Sequence, residues 1–112
     1  MKIETKYDVG HLFYVPRVYK RIKTETMMWE GEEWERNVEY LEATVKQKEI
    51  IKINATSQKD YMPTISYYVV DKAEYKTMSQ VYTENKITDY TYETAMAIAE
   101  SHRDAGEEYF GN

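Results

Sequence analysis

Two imidazoles, His11 and His102, are the chain's whole supply of side chains that titrate near neutral pH without help. Either could serve as a general base or a metal ligand only if folding brought it up against carboxylates. Neither has neighbours at ligand spacing, so the expectation is one loop histidine and one helix-surface histidine. A second candidate is the acidic run Glu30, Glu32, Glu33, Glu35, Glu39 and Glu42. Paired catalytic carboxylates need a partly dry cleft that drives their pKa values apart. A run of acids around Gly31 reads instead as a solvated tip or a partner-facing surface. Ser57, Ser66, Ser79 and Ser101 lie in no G-x-S-x-G elbow, and Gly10, Gly31, Gly106 and Gly111 form no phosphate-binding loop. Cysteine is absent, which removes disulfides and thiolate sites. The expectation is a non-enzymatic protein with no metal and no cofactor.

What remains is recognition chemistry, and two groups carry it. Met27, Met28, Trp29 and Trp34, with Glu32 and Glu33, form one. Trp dominates interface energetics and Met adapts to partners, so this group suits a docking surface; it suits a small core equally well. Basic side chains interleaved with tyrosines form the other: Tyr14, Arg17, Tyr19, Arg21, Lys46 and Lys48. That arrangement suits stacking on bases and neutralising phosphates, or a nucleotide-like small ligand. Its plainer reading is a solvated strand face with cross-strand Lys–Glu neighbours.

Strands must position both groups. Twelve tyrosines in 112 residues favour short, half-exposed strands, because the ring is apolar and the tip is wet. A first strand is predicted at 11–15 after Gly10. Pro16 follows, and it must lie at an edge, a bulge or a strand start. Strand character resumes at 17–22. Residues 39–53 alternate: Leu41, Ala43, Val45, Ile51 and Ile53 share one parity, while Tyr40, Glu42, Thr44, Lys46, Lys48 and Lys52 take the wet one. Gln47 and Glu49 interrupt the apolar stripe, which implies a bend, a bulge or an exposed end there. Further strands are predicted at 64–70, after a polar turn at 57–60 and Pro63, and at 78–82. Segment 23–38 fits the tip of a long hairpin, with Trp29 and Trp34 facing each other across the turn. Trp34, Val38, Leu41 and Val45 also fall at helical spacing; the hairpin is preferred because the 41–45 parity runs on into strand. Thr91 is a fitting N-cap, Ala95, Ile98, Ala99 and His102 recur at helical spacing, and Gly106 suits a stop.

The lead-in Lys6-Tyr7-Asp8-Val9-Gly10 with its immediate strand, and the later Val81-Tyr82-Thr83-Glu84 to Tyr92-Glu93-Thr94-Ala95 segment, resemble small phage-encoded proteins with an SH3-like barrel. Their pattern is a KYxxGDxVYF-type opening, a meander of strands and a YFTKEEA-type approach to a short C-terminal helix. The chain departs from it at His11, where Asp is usual, and in the extra segment 23–38. The resemblance implies phage origin and barrel topology rather than an activity.

The expected fold is mainly β: a single domain over 1–112, an SH3-like barrel of five or six twisted strands, a long hairpin at about 17–53 extended at 23–38, and a helix at about 91–105. The expected core is Leu12, Tyr14 or Phe13, Val18, Leu41, Ala43, Val45, Ile51, Ile65, Tyr67, Val69, Ala95 and Ile98. Exposed strand edges invite pairing, so a homo-oligomer is expected through an edge or the Trp hairpin. Net charge is −5, and residues 57–112 hold five basic and ten acidic side chains. That balance disfavours simple phosphate-backbone binding. No window approaches a membrane span and the N-terminus lacks a signal-peptide core, so a cytoplasmic protein (in the host cell, if phage-encoded) is expected. The expected function is a phage accessory protein that binds and blocks a host protein in the manner of an anti-defence inhibitor. The alternatives are an oligomer sequestering a nucleotide-like ligand, and a nucleic-acid-binding barrel.

Overall fold

A computed structural model describes residues 3–56, 64–73 and 78–111. It is mainly β, with one helix near the C-terminus and a sheet curled into a half-barrel. Four strands are described rather than five or six: β1 (Leu12–Trp29), β2 (Glu32–Thr56), β3 (Thr64–Asp71) and β4 (Gln80–Tyr82). They pair antiparallel in sequence order. A single-turn 3-10 segment spans Glu84–Lys86, and α1 spans Tyr92–Asp104. The predicted turn at 57–60 and Pro63 lie outside the described residues.

Pro16 does not interrupt β1, which is continuous for 18 residues. The reason is geometric. Val18 exchanges both backbone hydrogen bonds with Tyr109 on the outer edge, at 2.9 and 3.1 Å. Even-numbered residues of β1 therefore aim their N–H and C=O away from β2. Pro16 is one of them, so its missing N–H removes no ladder bond.

The register defines two faces. Phe13, Val15, Arg17, Tyr19, Arg21, Lys23, Met27 and Trp29 point one way, beside even residues of β2. Tyr14, Pro16, Val18, Lys20 and Ile22 point the other way, beside Gln47, Val45, Ala43, Leu41 and Glu39. The first face closes on the half-barrel core of Tyr7, Phe13, Val15, Ile50, Tyr67, Val69, Tyr82 and Ile87, all nearly or fully buried. The second face receives α1, whose Tyr92 ring meets Tyr14 edge-on at 6.0 Å and whose buried residues are Ala95 and Ala99. Thr91 caps α1 as expected, accepting from the Thr94 N–H at 3.2 Å.

The core departs from expectation at Ile51, Leu12 and Lys48, and a bulge accounts for the first. Ile51 is 44% exposed, and Ile50 takes the interior place. Ile50 pairs with Val69 and Lys52 with Tyr68, so Ile51 is an extra residue that resets the alternation. Ile53 thereby returns to the core side, opposite Tyr67. The bulge thus falls at Ile51, and not at Gln47 or Glu49. The stripe of Leu41, Ala43 and Val45 serves the helix, whereas Lys48 and Ile50 serve the half-barrel. Leu12, also expected inside, is 37% exposed. Lys48, expected on the wet face, is 5% exposed, and its ammonium is paired with Asp71.

Candidate interaction surface

Beyond Val18 and its partner Ala43, no third strand is described beside β1 and β2 up to the turn at Glu30–Gly31. The free part of β1, Tyr19–Trp29, spans roughly 35 Å at the rise of an extended strand. It accounts for much of the molecule's 77 Å length. Segment 23–38 is thus hairpin, not helix. Its two-residue turn has Glu30 at φ 50° and Gly31 at φ 78°. Positive φ at both central positions is the turn geometry whose twist matches paired strands.

The tip cluster is arranged differently from the expectation. Met27, not Trp29, lies opposite Trp34, and Trp29 lies opposite Glu32. Strand registry cannot place two residues opposite each other when one sits next to a two-residue turn and the other lies two residues further out. The indoles are diagonal neighbours on one face. Met27, Trp29 and Trp34, with Glu35 and Arg36, line a shallow hollow. Trp29 and Trp34 are 65% and 53% exposed. Met28 and Glu33 face the other way, opposite each other. The six tip residues therefore do not form one patch: four share the indole face and two lie behind it.

The basic–tyrosine set also divides. Tyr14 lies on the helix side, where Gln47 donates to its hydroxyl at 3.4 Å. Arg17 is 8% exposed, and its guanidinium donates to the Pro16 carbonyl at 2.9 Å and to the Gly111 carbonyl. With Lys48 paired to Asp71, these two cations are structural. Tyr19, Arg21 and Lys46 do meet. The Arg21 guanidinium and the Lys46 ammonium lie 5.2 and 5.8 Å from the centre of the Tyr19 ring. Phe110 closes the fourth side at 5.4 Å. Two members of this face were not singled out from the sequence: Tyr40, opposite Arg21, and Phe110. Lys23 covers Tyr40 at 5.3 Å. Tyr40's place was readable in the parity of β2; Phe110's was not, because it follows from the tail bending around the edge of β1.

The arm's faces differ in charge. On the Tyr19 face, Arg21, Lys23 and Arg36 balance Glu25, Glu32 and Glu42, and Lys46 adds a cation at the arm's base. On the opposite face Lys20 stands against Glu33, Glu35 and Glu39. Exposed ion pairs knit the arm: Arg21–Glu42 at 2.9 Å, Arg36–Glu25 at 3.2 Å and Lys23–Glu25 at 3.4 Å. The Glu25 carboxyl is held below the ordinary range by its bond from Arg36 first, and then by that from Lys23. His11 lies tilted against the Tyr7 ring at 4.6 Å, and His102 stacks on Tyr109 at 4.0 Å. Among the described residues no group of three or more acidic or imidazole side chains is placed to hold a metal ion. Among them, too, no helix is long and apolar enough to cross a membrane.

Compared with protein-family models, curated proteins and solved structures, the chain finds no match.

Proposed function

We propose that this chain is a non-enzymatic binding protein that presents its hairpin arm to a partner protein. One observation carries the reading: an arm extends past the half-barrel and α1 and ends in Met27, Trp29 and Trp34 exposed on a single face. Indoles held out on a paired scaffold are pre-ordered anchors, and anchoring aromatics supply most of the energy of an interface. The phage resemblance of the two ends supports a host protein as the target, bound and blocked in the cytoplasm by an accessory factor. Affinity capture from a bacterial lysate, followed by titration calorimetry with the captured protein, tests this. The Trp29→Ala, Trp34→Ala variant should lose at least about tenfold in affinity, a cost of about 1.4 kcal/mol or more. Undiminished binding by that variant would refute the role of the tip.

A second reading rests on a separate observation, the cationic flanks of Tyr19. Arg21 and Lys46 beside an aromatic face suit a nucleotide or a single strand. A rise in melting temperature with a nucleotide panel supports the small-ligand form. Single-strand binding that weakens steeply with salt supports the nucleic-acid form.

A further inference from the structure

The described molecule has two long unpaired strand edges: that of β2 from Glu32 to Lys46, and the outer edge of β1. The tail covers it only at Val18, through Tyr109. From Tyr19 to Trp29 the described residues offer its backbone no partner, and the tail reaches it only through the side chains of Glu108 and Phe110. Natural edge strands are usually short, bulged or broken by proline. This stretch is long, has no bulge against β2 and contains no proline. The arm is also two-stranded, and a lone two-stranded ribbon is marginal in water.

We infer that the occupant of this edge is a second copy of the chain, paired antiparallel through β1 about a two-fold axis at Thr24. The free edge itself selects the register. Full overlap of two Tyr19–Trp29 stretches places Tyr19 opposite the partner's Trp29 and Thr24 opposite the partner's Thr24. In that same register Lys23 stands opposite the partner's Glu25, and Glu25 opposite the partner's Lys23. Two aromatic pairs, two ion pairs and a central threonine pair are each favourable cross-strand neighbours. Parity agrees as well: Thr24 is even-numbered, like Val18, so its N–H and C=O point outward and meet those of its symmetry mate. An isologous interface of this kind closes on itself and does not propagate. It turns two ribbons into one four-stranded sheet. Both Tyr19 faces then lie on the same side, giving one doubled cationic–aromatic surface. Trp29 takes part in both surfaces, so the dimer is tested at Lys23 and Thr24, away from the tip.

Light scattering on the full chain at rising concentration should give twice the chain mass. Thr24→Pro removes one outward N–H, no backbone bond to β2 and one exposed hydroxyl bond to Asn37, so it should yield a monomer whose circular dichroism and melting transition match a folded protein. Lys23→Glu should weaken the dimer by at least roughly tenfold, and Lys23→Glu with Glu25→Lys should restore it. The native chain has no cysteine, which permits a positional test. Directly opposed, hydrogen-bonded residues lie within disulfide reach. Thr24→Cys should therefore oxidise to a covalent dimer, whereas Met28→Cys, which opposes the partner's Lys20, should not. A monomeric mass at high concentration, a dimer indifferent to Thr24→Pro, or a Met28→Cys variant that cross-links in preference to Thr24→Cys would each overturn the inference.

Discussion

The hydroxyl of Tyr67 donates to the Glu84 carboxylate at 2.6 Å, and that contact ties the sheet to the segment that leads into α1. The Lys6 N–H donates to the same oxygen at 2.9 Å, and Tyr7 N–H donates to the Tyr67 hydroxyl at 3.4 Å. The N-terminal strap, the centre of β3 and the 3-10 turn thus meet at one carboxylate. Tyr67 is fully buried at that point, where a polar tip without a partner would be costly. Tyr67→Phe should therefore destabilise the protein by about 1.5–3 kcal/mol, the range for a hydrogen bond to a charged group. Urea unfolding measures it. A midpoint equal to that of the native chain would show that Glu84 is satisfied without Tyr67.

The same contact sets a pH dependence. The Tyr67 hydroxyl first, and then the Lys6 amide, hold the Glu84 carboxyl below its ordinary value. The group is thus more acidic folded than unfolded. Its contribution is complete above the unfolded pKa, about 4.3, and is lost as pH falls through the folded value. Tyr67 moves the other way, raised by burial first and by the Glu84 contact second. Its contribution is complete below about pH 10 and is lost above. Melting temperature should fall on both limbs. Glu84→Gln should flatten the acid limb; an acid limb of unchanged slope would assign it to other carboxylates.

Lys48 and Asp71 form the second buried tie, with Gln80 at 3.4 Å from the same ammonium. Removing the acid strands an ammonium whose side chain is 6% exposed, whereas removing the cation leaves a carboxylate that is 23% exposed and keeps contact with water. Asp71→Ala should cost about 3 kcal/mol. Lys48→Met, which keeps the apolar stem, should cost clearly less. The reverse ranking in thermal unfolding would mean that the Lys48 ammonium reaches solvent on its own.

At the arm's turn Glu30 holds a left-handed backbone, φ 50°, that side chains with a Cβ adopt at a cost. Glu30→Asn should stabilise the turn by about 0.5–1 kcal/mol, since Asn is favoured at that position. Gly31→Ala, at φ 78°, should destabilise it by about 1 kcal/mol or more. Amide exchange of the arm, rather than global melting, is the sensitive measurement, because the tip is far from the core. Equal protection in all three proteins would mean that the turn does not govern the arm.

Glu25 and Arg36 supply a salt-dependent part of the arm's order. Both are exposed, so the effect is small. Raising ionic strength should speed amide exchange between residues 23 and 36 while leaving the core of Val15, Ile50 and Tyr67 unchanged. Uniform acceleration across both regions would contradict that localisation.

Much of the architecture was legible in the residues themselves. Val, Ile and Tyr alternating at period two marked the strands, segment 23–38 with its Gly31 marked a hairpin tip, and Thr91 with Ala95 and Ala99 marked α1. These are local signals, carried by dihedral preference and by polarity at fixed spacing. The register at the tip, the bulge at Ile51 and the burial of Lys48 were not legible. Each depends on which residue of a distant strand lies opposite, and one inserted residue exchanges the faces. Nor could the sequence reveal that Tyr109 covers β1 only at Val18. Where the tail ends, the free edge begins, and that boundary belongs to the tertiary structure alone because it joins residues from opposite ends of the chain.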